Sequence, residues 1–153
     1  MDAVDRSILD ARRANGRSTF AELAREVGLS APAVHDRVGK LEAQGVITGY
    51  HAAVAPESLG YSMSALVGVF LSDTADEDLV ADQLAGIAAV EDCWFVAGEE
   101  SFVVKVRVPD VVGLEGAIRA VTRIRGVART RSTVVLSTRF EGRVQPAGVP
   151  PAG

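Results

Sequence analysis

Residues 20–52 read FAELAREVGLSAPAVHDRVGKLEAQGVITGYHA and decide the fold of the first part of the chain. Apolar residues recur there at intervals of three and four, first before Gly28 and again after it, which gives each segment one apolar helical face. Gly28 favours the left-handed backbone that ends a helix, and Ser30 is a residue type that caps the start of the next one. The stretch therefore predicts a helix, a tight turn and a second helix.

Further elements flank this helix pair. Residues 4–11 show another apolar helical face, and Asn15-Gly16 follows as a stop signal. Residues 46–54 read as β structure with a central glycine, which suits a small wing. Together these patterns predict a winged helix-turn-helix domain over residues 1–55, an arrangement that places one helix in the DNA major groove. The alternative is a plain three-helix bundle with a polar surface.

The exposed face of the second helix of the pair holds the residues expected to contact DNA. Arg37 is expected to pair with guanine or to hold a phosphate. Asp36 is expected to accept a hydrogen bond from cytosine, or to pair with Lys40 one turn later. The alternative is an ordinary solvated helix face. The predicted DNA-binding residues are Arg17, Ser30, Ala33, His35, Asp36, Arg37 and Lys40.

Composition limits the class of protein. The chain has 153 residues, of which 48% are hydrophobic, enough for one or two small domains. No apolar run is long enough to cross a membrane, and no secretory signal is recognised. The only cysteine, Cys93, cannot form an intrachain disulfide and is expected to be a small buried residue in a strand. These features favour a cytoplasmic protein that does not bind membranes.

The charge of the chain limits how strongly a single copy can bind DNA. The net charge is −4, and residues 1–54 hold seven basic and seven acidic side chains. Because neutralisation of phosphates supplies most of the affinity of such proteins, one copy of a neutral domain is a weak DNA binder. We therefore expect several copies to act together.

The second half of the chain alternates between strand and helix patterns. A connector is predicted over residues 56–62 and a ferredoxin-like βαββαβ domain over residues 63–141, which makes the chain α+β. Thr74 and Glu77 have the spacing of a capping box. Residues 142–153 are rich in Gly, Pro and Ala and are predicted to form a mobile tail. The four strands are expected at residues 64–71, 90–97, 102–108 and 130–140.

Both faces of the predicted sheet are largely apolar, although two helices can cover only one of them. A sheet face that a monomer leaves exposed usually meets a partner. A homodimer formed through this domain is therefore expected, and its two helix-turn-helix units can read half-sites about one helical turn apart.

Short segments along the chain match a known family in order and spacing. On these segments the chain resembles the Lrp/AsnC (leucine-responsive, feast/famine) transcription regulators from about Asp2 to Phe140. The resemblance implies a winged helix-turn-helix joined to a RAM-type ferredoxin-like domain, dimers that often assemble to octamers, and amino acids as effectors. The matching segments include Asp5-Arg6-Ser7-Ile8-Leu9, Val27-Gly28-Leu29-Ser30, Gly45-Val46-Ile47-Thr48-Gly49-Tyr50 and Phe102 to Val108.

The resemblance also implies an effector loop that starts at Gly98. The family typically reads Gly-Asp-Tyr-Asp-aromatic there, and Ser101 stands where it often has Asp. A carboxylate of this loop is expected to hold the ammonium of an amino acid, while strand hydroxyls and an arginine such as Arg125 or Arg129 bind its carboxylate. The alternative is a polar hairpin with solvated glutamates. The expected effector-binding residues are Gly98, Glu99, Glu100, Ser101, Arg125, Thr130, Ser132 and Thr133.

Two other functions compete with a ligand-responsive regulator of DNA. A tetrapyrrole decarboxylase-like enzyme on the same plan needs His or Tyr groups in the second domain. Both histidines, His35 and His51, lie in the first domain or at its edge, and Tyr61, at the end of the connector, is the only tyrosine close to the second. Neither a metal-ligand cluster nor a nucleophile with its base is recognised, so no enzyme and no cofactor is expected. An architectural DNA-binding protein without an effector is the second alternative.

Overall fold

The computed structural model describes residues 1–143 of the chain, which divide into two compact units. The first unit contains Met1–Ala53 together with Phe140 and the described residues that follow it. The second unit contains Val54–Arg139. Most of the predicted mobile tail, from residue 144 onward, lies outside the described residues. Within residues 1–143, every helix is too short or too polar to cross a bilayer.

The first unit is built from three helices, which are α1 (Ala3–Ala14), α2 (Phe20–Val27) and α3 (Ala31–Ala43). Helix α2 begins with the predicted capping box, in which Thr19 and Glu22 each accept the other's backbone N–H. Gly28 ends it at φ 69, a left-handed conformation that favours glycine. The apolar faces meet in one core, as the sequence predicted; its buried members are Ile8, Ala11, Leu23, Ala24, Val34, Val38 and Leu41.

The predicted β wing is wrong, because residues 46–54 contain no strand. The N–H groups of Val46 and Ile47 both donate to the carbonyl of Leu41 and so complete the end of α3. A strand needs a neighbouring backbone to pair with, and the described residues offer this segment none. The observed arrangement is a helix-turn-helix followed by irregular chain.

The second unit is the predicted βαββαβ domain, and the α+β class is confirmed. All its strands belong to one antiparallel sheet in the order β2-β3-β1-β4. The predicted connector contains a 3-10 helix, Pro56–Leu59. The elements are β1 (Met63–Leu71), α4 (Glu77–Ala85), β2 (Val90–Phe95), β3 (Phe102–Val108), α5 (Val111–Thr122) and β4 (Val127–Val135).

Several predicted boundaries in this unit are wrong by a few residues. Asp76, not Thr74, caps α4, since its carboxylate accepts a backbone N–H three residues later. Strand β2 ends at Phe95, two residues before the predicted end. Strand β4 ends at Val135, five residues before the predicted end, because its partner there is Ser64 near the start of β1. A strand stops where its neighbour offers no more backbone to pair with.

The two faces of the sheet differ in what covers them. Helices α4 and α5 pack on one face, where the buried strand residues include Val67, Val69, Val104 and Val106. The opposite face, called the open face below, is mixed rather than largely apolar as predicted. Cys93 on the edge strand β2 is exposed, which corrects the expectation that it is buried. The open face contains Leu66, Gly68, Phe70, Trp94, Val103, Lys105, Arg107, Arg129, Arg131 and Thr133.

Candidate DNA and effector interfaces

Helix α3 exposes several of the residues predicted to bind DNA. Ser30 caps the helix, since its hydroxyl accepts the N–H of Ala33 at 3.4 Å. Ala33 itself is half-buried, whereas His35, Asp36 and Lys40 are exposed. The Nδ1 atom of His35 lies 3.7 Å from a carboxylate oxygen of Asp36. This face therefore mixes one lysine, one histidine and one carboxylate, and it is not strongly basic.

Arg37 is the exception on α3, because its guanidinium is engaged inside the first unit. Its Nη1 atom donates to a carboxylate oxygen of Asp2 at 2.7 Å and to one of Asp5 at 2.7 Å. These hydrogen bonds raise the pKa of Arg37. The pKa of Asp2 is lowered by the backbone N–H of Asp5 and by Arg37. The sequence predicted a free cation at this position, and the structure shows an ion pair that spans more than thirty residues of sequence.

Arg17 lies away from α3, in an open cleft of the first unit of about 970 Å³. Arg12, Arg13 and His51 also line this cleft. The guanidinium of Arg12 lies 5.6 Å from the centre of the Tyr50 ring and donates to the backbone carbonyls of Gly16 and Ser18, which follow α1. Three arginines and a histidine therefore share this cleft.

The loop from Gly98 to Ser101 forms a hairpin end between β2 and β3. Gly98 and Glu99 are exposed. Ser101 is half-buried, and its N–H donates to the carbonyl of Val69 at 2.9 Å, while its own carbonyl accepts the N–H of Val96. Backbone hydrogen bonds thus fix the loop to β1 and to the chain that follows β2.

Glu100 turns from this loop onto the open face. It pairs with Arg131 of β4, and only 14% of its side chain is exposed. A Cβ at Gly68 would lie 2.7 Å from Cγ of Glu100, so the glycine provides the space in which this side chain lies. Next to the pair, the guanidinium of Arg129 stacks 3.4 Å above the ring centre of Phe70. Arg131 and Gly68 were absent from the predicted effector-binding residues, although residues 119–143 contain seven arginines, one of which is Arg131.

The other expected effector residues do not converge on this pair. Thr130 and Ser132 lie on the helix-covered side of β4, and the Oγ1 of Thr130 is 3.5 Å from that of Thr122. Thr133 lies on the open face, next to Leu66. Arg125 lines a separate cleft of about 320 Å³ beside the start of α4. The structure therefore joins Glu100 to Arg131 and separates Arg125 from both.

Comparison with known families matches both units. The AsnC-type helix-turn-helix domain matches residues 1–42, and the Lrp/AsnC ligand binding domain matches residues 64–145. The chain belongs to the Lrp/AsnC family. It is 41% identical to the HTH-type transcriptional regulator LrpA of Mycobacterium tuberculosis, over 94% of this chain and 95% of that protein. It is 29% identical to the regulatory protein AsnC of Escherichia coli, over 95% of this chain and 97% of that protein.

Solved structures of the family share the whole fold. The feast or famine regulatory protein of M. tuberculosis, complexed with L-methionine, superimposes with a TM-score of 0.89 at 40% identity. The match covers 95% of this chain and 98% of that one. This Lrp/AsnC protein is thus a transcriptional regulator and not an enzyme. Among residues 1–143, groups of three or more His, Cys, Asp or Glu able to hold a metal ion are absent.

Proposed function

We propose that this Lrp/AsnC regulator binds specific sites on double-stranded DNA as a homodimer, and that an amino acid bound at the second unit alters the binding. The capped pair of helices α2 and α3 carries the DNA-binding part of the proposal. Such a pair presents its second helix to the major groove. The exposed groups on α3, which include His35, Asp36 and Lys40, are then the ones placed to meet bases and phosphates.

The proposal of a homodimer rests on the chemistry of the open face. Leu66 and Trp94 are 39% and 47% exposed, although they lie on a sheet. The charges beside them are already paired, since Glu91 bonds both Lys105 and Arg107. A second copy can therefore cover the part of this face around Leu66 and Trp94 without burying unpaired charge, which would be costly. Larger assemblies, such as an octamer, are a further part of the proposal.

The proposal of an amino-acid effector rests on the Glu100–Arg131 pair. An amino acid carries an ammonium and a carboxylate, and these two side chains offer the matching charges side by side. Gly98, Glu99 and Ser101 lie on the same loop and supply backbone groups. The methionine bound to the M. tuberculosis relative supports this class of ligand. A regulator that acts on chromosomal DNA is expected in the cytoplasm.

DNA binding is tested first by selecting duplexes from a random 20-bp library with the full chain. Fluorescence anisotropy then compares the enriched duplex with a shuffled duplex of the same composition. We expect Lys40→Ala to weaken binding and to lower the salt slope by about one, as for a lost phosphate contact. Arg123→Ala, an exposed arginine of the second unit, is the control. Equal affinity for the enriched and the shuffled duplex would remove the proposal of specific binding.

A second function, DNA packaging without an effector, is favoured by one observation: Glu100 already has its partner in Arg131. A thermal-shift screen of the twenty amino acids separates the two functions. A hit that raises the melting temperature, and that is lost in Arg131→Ala, supports the regulator with an effector. A folded sample that none of the twenty stabilises supports the packaging function instead.

A further inference from the structure

The start of α1 and the middle of α3 are joined by a closed set of hydrogen bonds. In the capping box of α1, Asp2 Oδ1 accepts the N–H of Asp5, and Asp5 Oδ2 accepts the N–H of Asp2, both at 2.8 Å. The other oxygen of each carboxylate accepts from Nη1 of Arg37 at 2.7 Å. All four carboxylate oxygens thus have one donor each, and a single nitrogen of Arg37 holds both acids.

This arrangement makes the arginine and the two acids depend on one another. The side chain of Asp5 is 15% exposed and that of Arg37 is 32% exposed, so solvent screens the inner pair only partly. Two carboxylates held this close repel each other, and the Arg37 cation offsets that repulsion. If Arg37 reached for DNA instead, it would leave both acids without their shared donor, near a polyanion.

We propose that Arg37 is a positioning residue: with Asp2 and Asp5 it fixes the recognition helix α3 against the start of α1, and it does not contact DNA itself. Asp2 and Asp5, at the start of α1, then support DNA binding by holding α3 in place, although DNA repels their negative charge. The functional consequence of this inference rests on the proposed DNA binding. The hydrogen-bonded set of Arg37, Asp2 and Asp5, called the clamp below, is a property of the folded first unit alone.

Conservative variants separate a clamp from a DNA contact. In Arg37→Lys one nitrogen remains, and one nitrogen is all that the clamp uses, whereas a bidentate guanine contact is lost. In the double variant Asp2→Asn/Asp5→Asn the clamp loses both charges. If Arg37 contacted DNA directly, the double variant would bind DNA more tightly than the wild type, because two negative charges disappear and the guanidinium is released.

The experiment measures the affinity of full-length variants for the selected duplex, and their melting temperatures. We expect Arg37→Lys to bind nearly as wild type, and Arg37→Ala and the double acid variant to lose a similar factor, on the order of tenfold. The salt slope should stay unchanged in Arg37→Ala. Arg6→Ala, which removes an exposed arginine of α1, is the control. Equal or tighter binding by the double acid variant, or loss of binding in Arg37→Lys, would overturn the proposal.

Melting temperatures test the clamp without any DNA. Combining Arg37→Ala with the double acid variant should lower the melting temperature no further than Arg37→Ala alone, because coupled residues are not additive. Additive losses would contradict the clamp. If the wild type binds no duplex, the proposed function fails, while the melting temperatures still test the clamp. Arg37→Gln, which removes the charge and keeps most of the side chain, replaces Arg37→Ala if that variant does not fold.

Discussion

At the scale of single residues, the role of a charge depends on partners far away in sequence. Arg37 and Arg131 look alike as exposed cations on regular elements, yet each is held by a carboxylate more than thirty residues away. Gly68 shows the same dependence, since its missing side chain gives Glu100 its place on the sheet. The residues on the neighbouring strand or helix therefore determine whether each of these side chains is paired or free.

Gly68→Ala tests whether that space is needed for the Glu100–Arg131 pair. The new Cβ would lie 2.7 Å from Cγ of Glu100, a flexible side chain that can move away, so the fold should survive. In the wild type, Glu100→Ala should lower the free energy of unfolding by up to about 1 kcal/mol, as for a partly exposed ion pair. In the Gly68→Ala background it should change almost nothing. Urea denaturation of the wild type, the two single variants and the double variant measures this coupling. If Glu100→Ala lowered the free energy of unfolding equally in both backgrounds, the pair would not depend on Gly68.

At the scale of elements, helix ends in this chain follow local chemistry closely. The capping residues Thr19, Ser30, Asp76 and Asp110 each accept a backbone N–H within the next three residues. Such bonds satisfy donors that the helix itself leaves free, so the sequence places helix starts well. Strand ends follow the neighbouring strand instead, which is why β4 was misplaced.

Two glycines of the first unit should respond in opposite directions to alanine. Gly39 lies within α3 with open space around its Cα, so Gly39→Ala should raise the free energy of unfolding by about 0.5–1 kcal/mol. Gly28 sits at φ 69, where a Cβ is strained, so Gly28→Ala should lower it by about 1–2 kcal/mol. Thermal and urea unfolding measure both variants. A stabilising Gly28→Ala would mean that the turn between α2 and α3 is not left-handed.

The capping box of α1 should also appear in a pH titration. Backbone hydrogen bonds first, and then Arg37, hold the pKa of Asp2 and Asp5 below the ordinary value of 3.8. Their contribution to stability is therefore fully present above about pH 3.8, and it is lost as the pH falls through the lowered values. Carboxyl-detected NMR should show both pKa values rising in Arg37→Ala. Glu22, whose pKa is lowered by Thr19, should not change and serves as the internal control.

At the scale of the whole molecule, the net charge and the open face both indicate that more than one copy of the chain is needed for strong DNA binding. The first 54 residues are electrically neutral as a group, and the chain as a whole carries −4. A single copy thus lacks the positive field that strong DNA binding needs. The open face of the sheet offers a surface through which a second copy can be added, and two copies double the number of DNA-facing helices.

Leu66→Arg is expected to prevent that assembly. The side chain is 39% exposed on the open face, so the fold can accept arginine while a dimer interface cannot. Light scattering should give at least twice the 16.0 kDa chain mass for the wild type and the mass of one chain for the variant. Affinity for the selected duplex should fall with it. Val112→Arg, at an exposed apolar residue of α5, is the control; a monomeric wild type, or an unchanged mass in Leu66→Arg, would show that the open face is not the interface.

The sequence by itself determined most of the secondary structure. Apolar periodicity, capping residues and turn glycines act over a few residues, so they located α1 to α3, the order βαββαβ and the strand β3 at Phe102–Val108. The resemblance of short segments also indicated the Lrp/AsnC family, which the family matches confirmed. The DNA-binding and effector-binding residues remain predictions, since they depend on contacts that no local pattern contains.

Only the tertiary structure decided which charged groups are free. Three features depend on which segments become neighbours after folding. They are the pairing of Arg37 with Asp2 and Asp5, the position of Glu100 over Gly68, and the absence of a strand in residues 46–54. Hydrogen bonds and ion pairs form over about 3 Å, whereas the residues concerned are separated by roughly thirty positions or more. Sequence spacing cannot report such contacts, and the same residue type therefore serves as a clamp in one place and as an exposed cation in another.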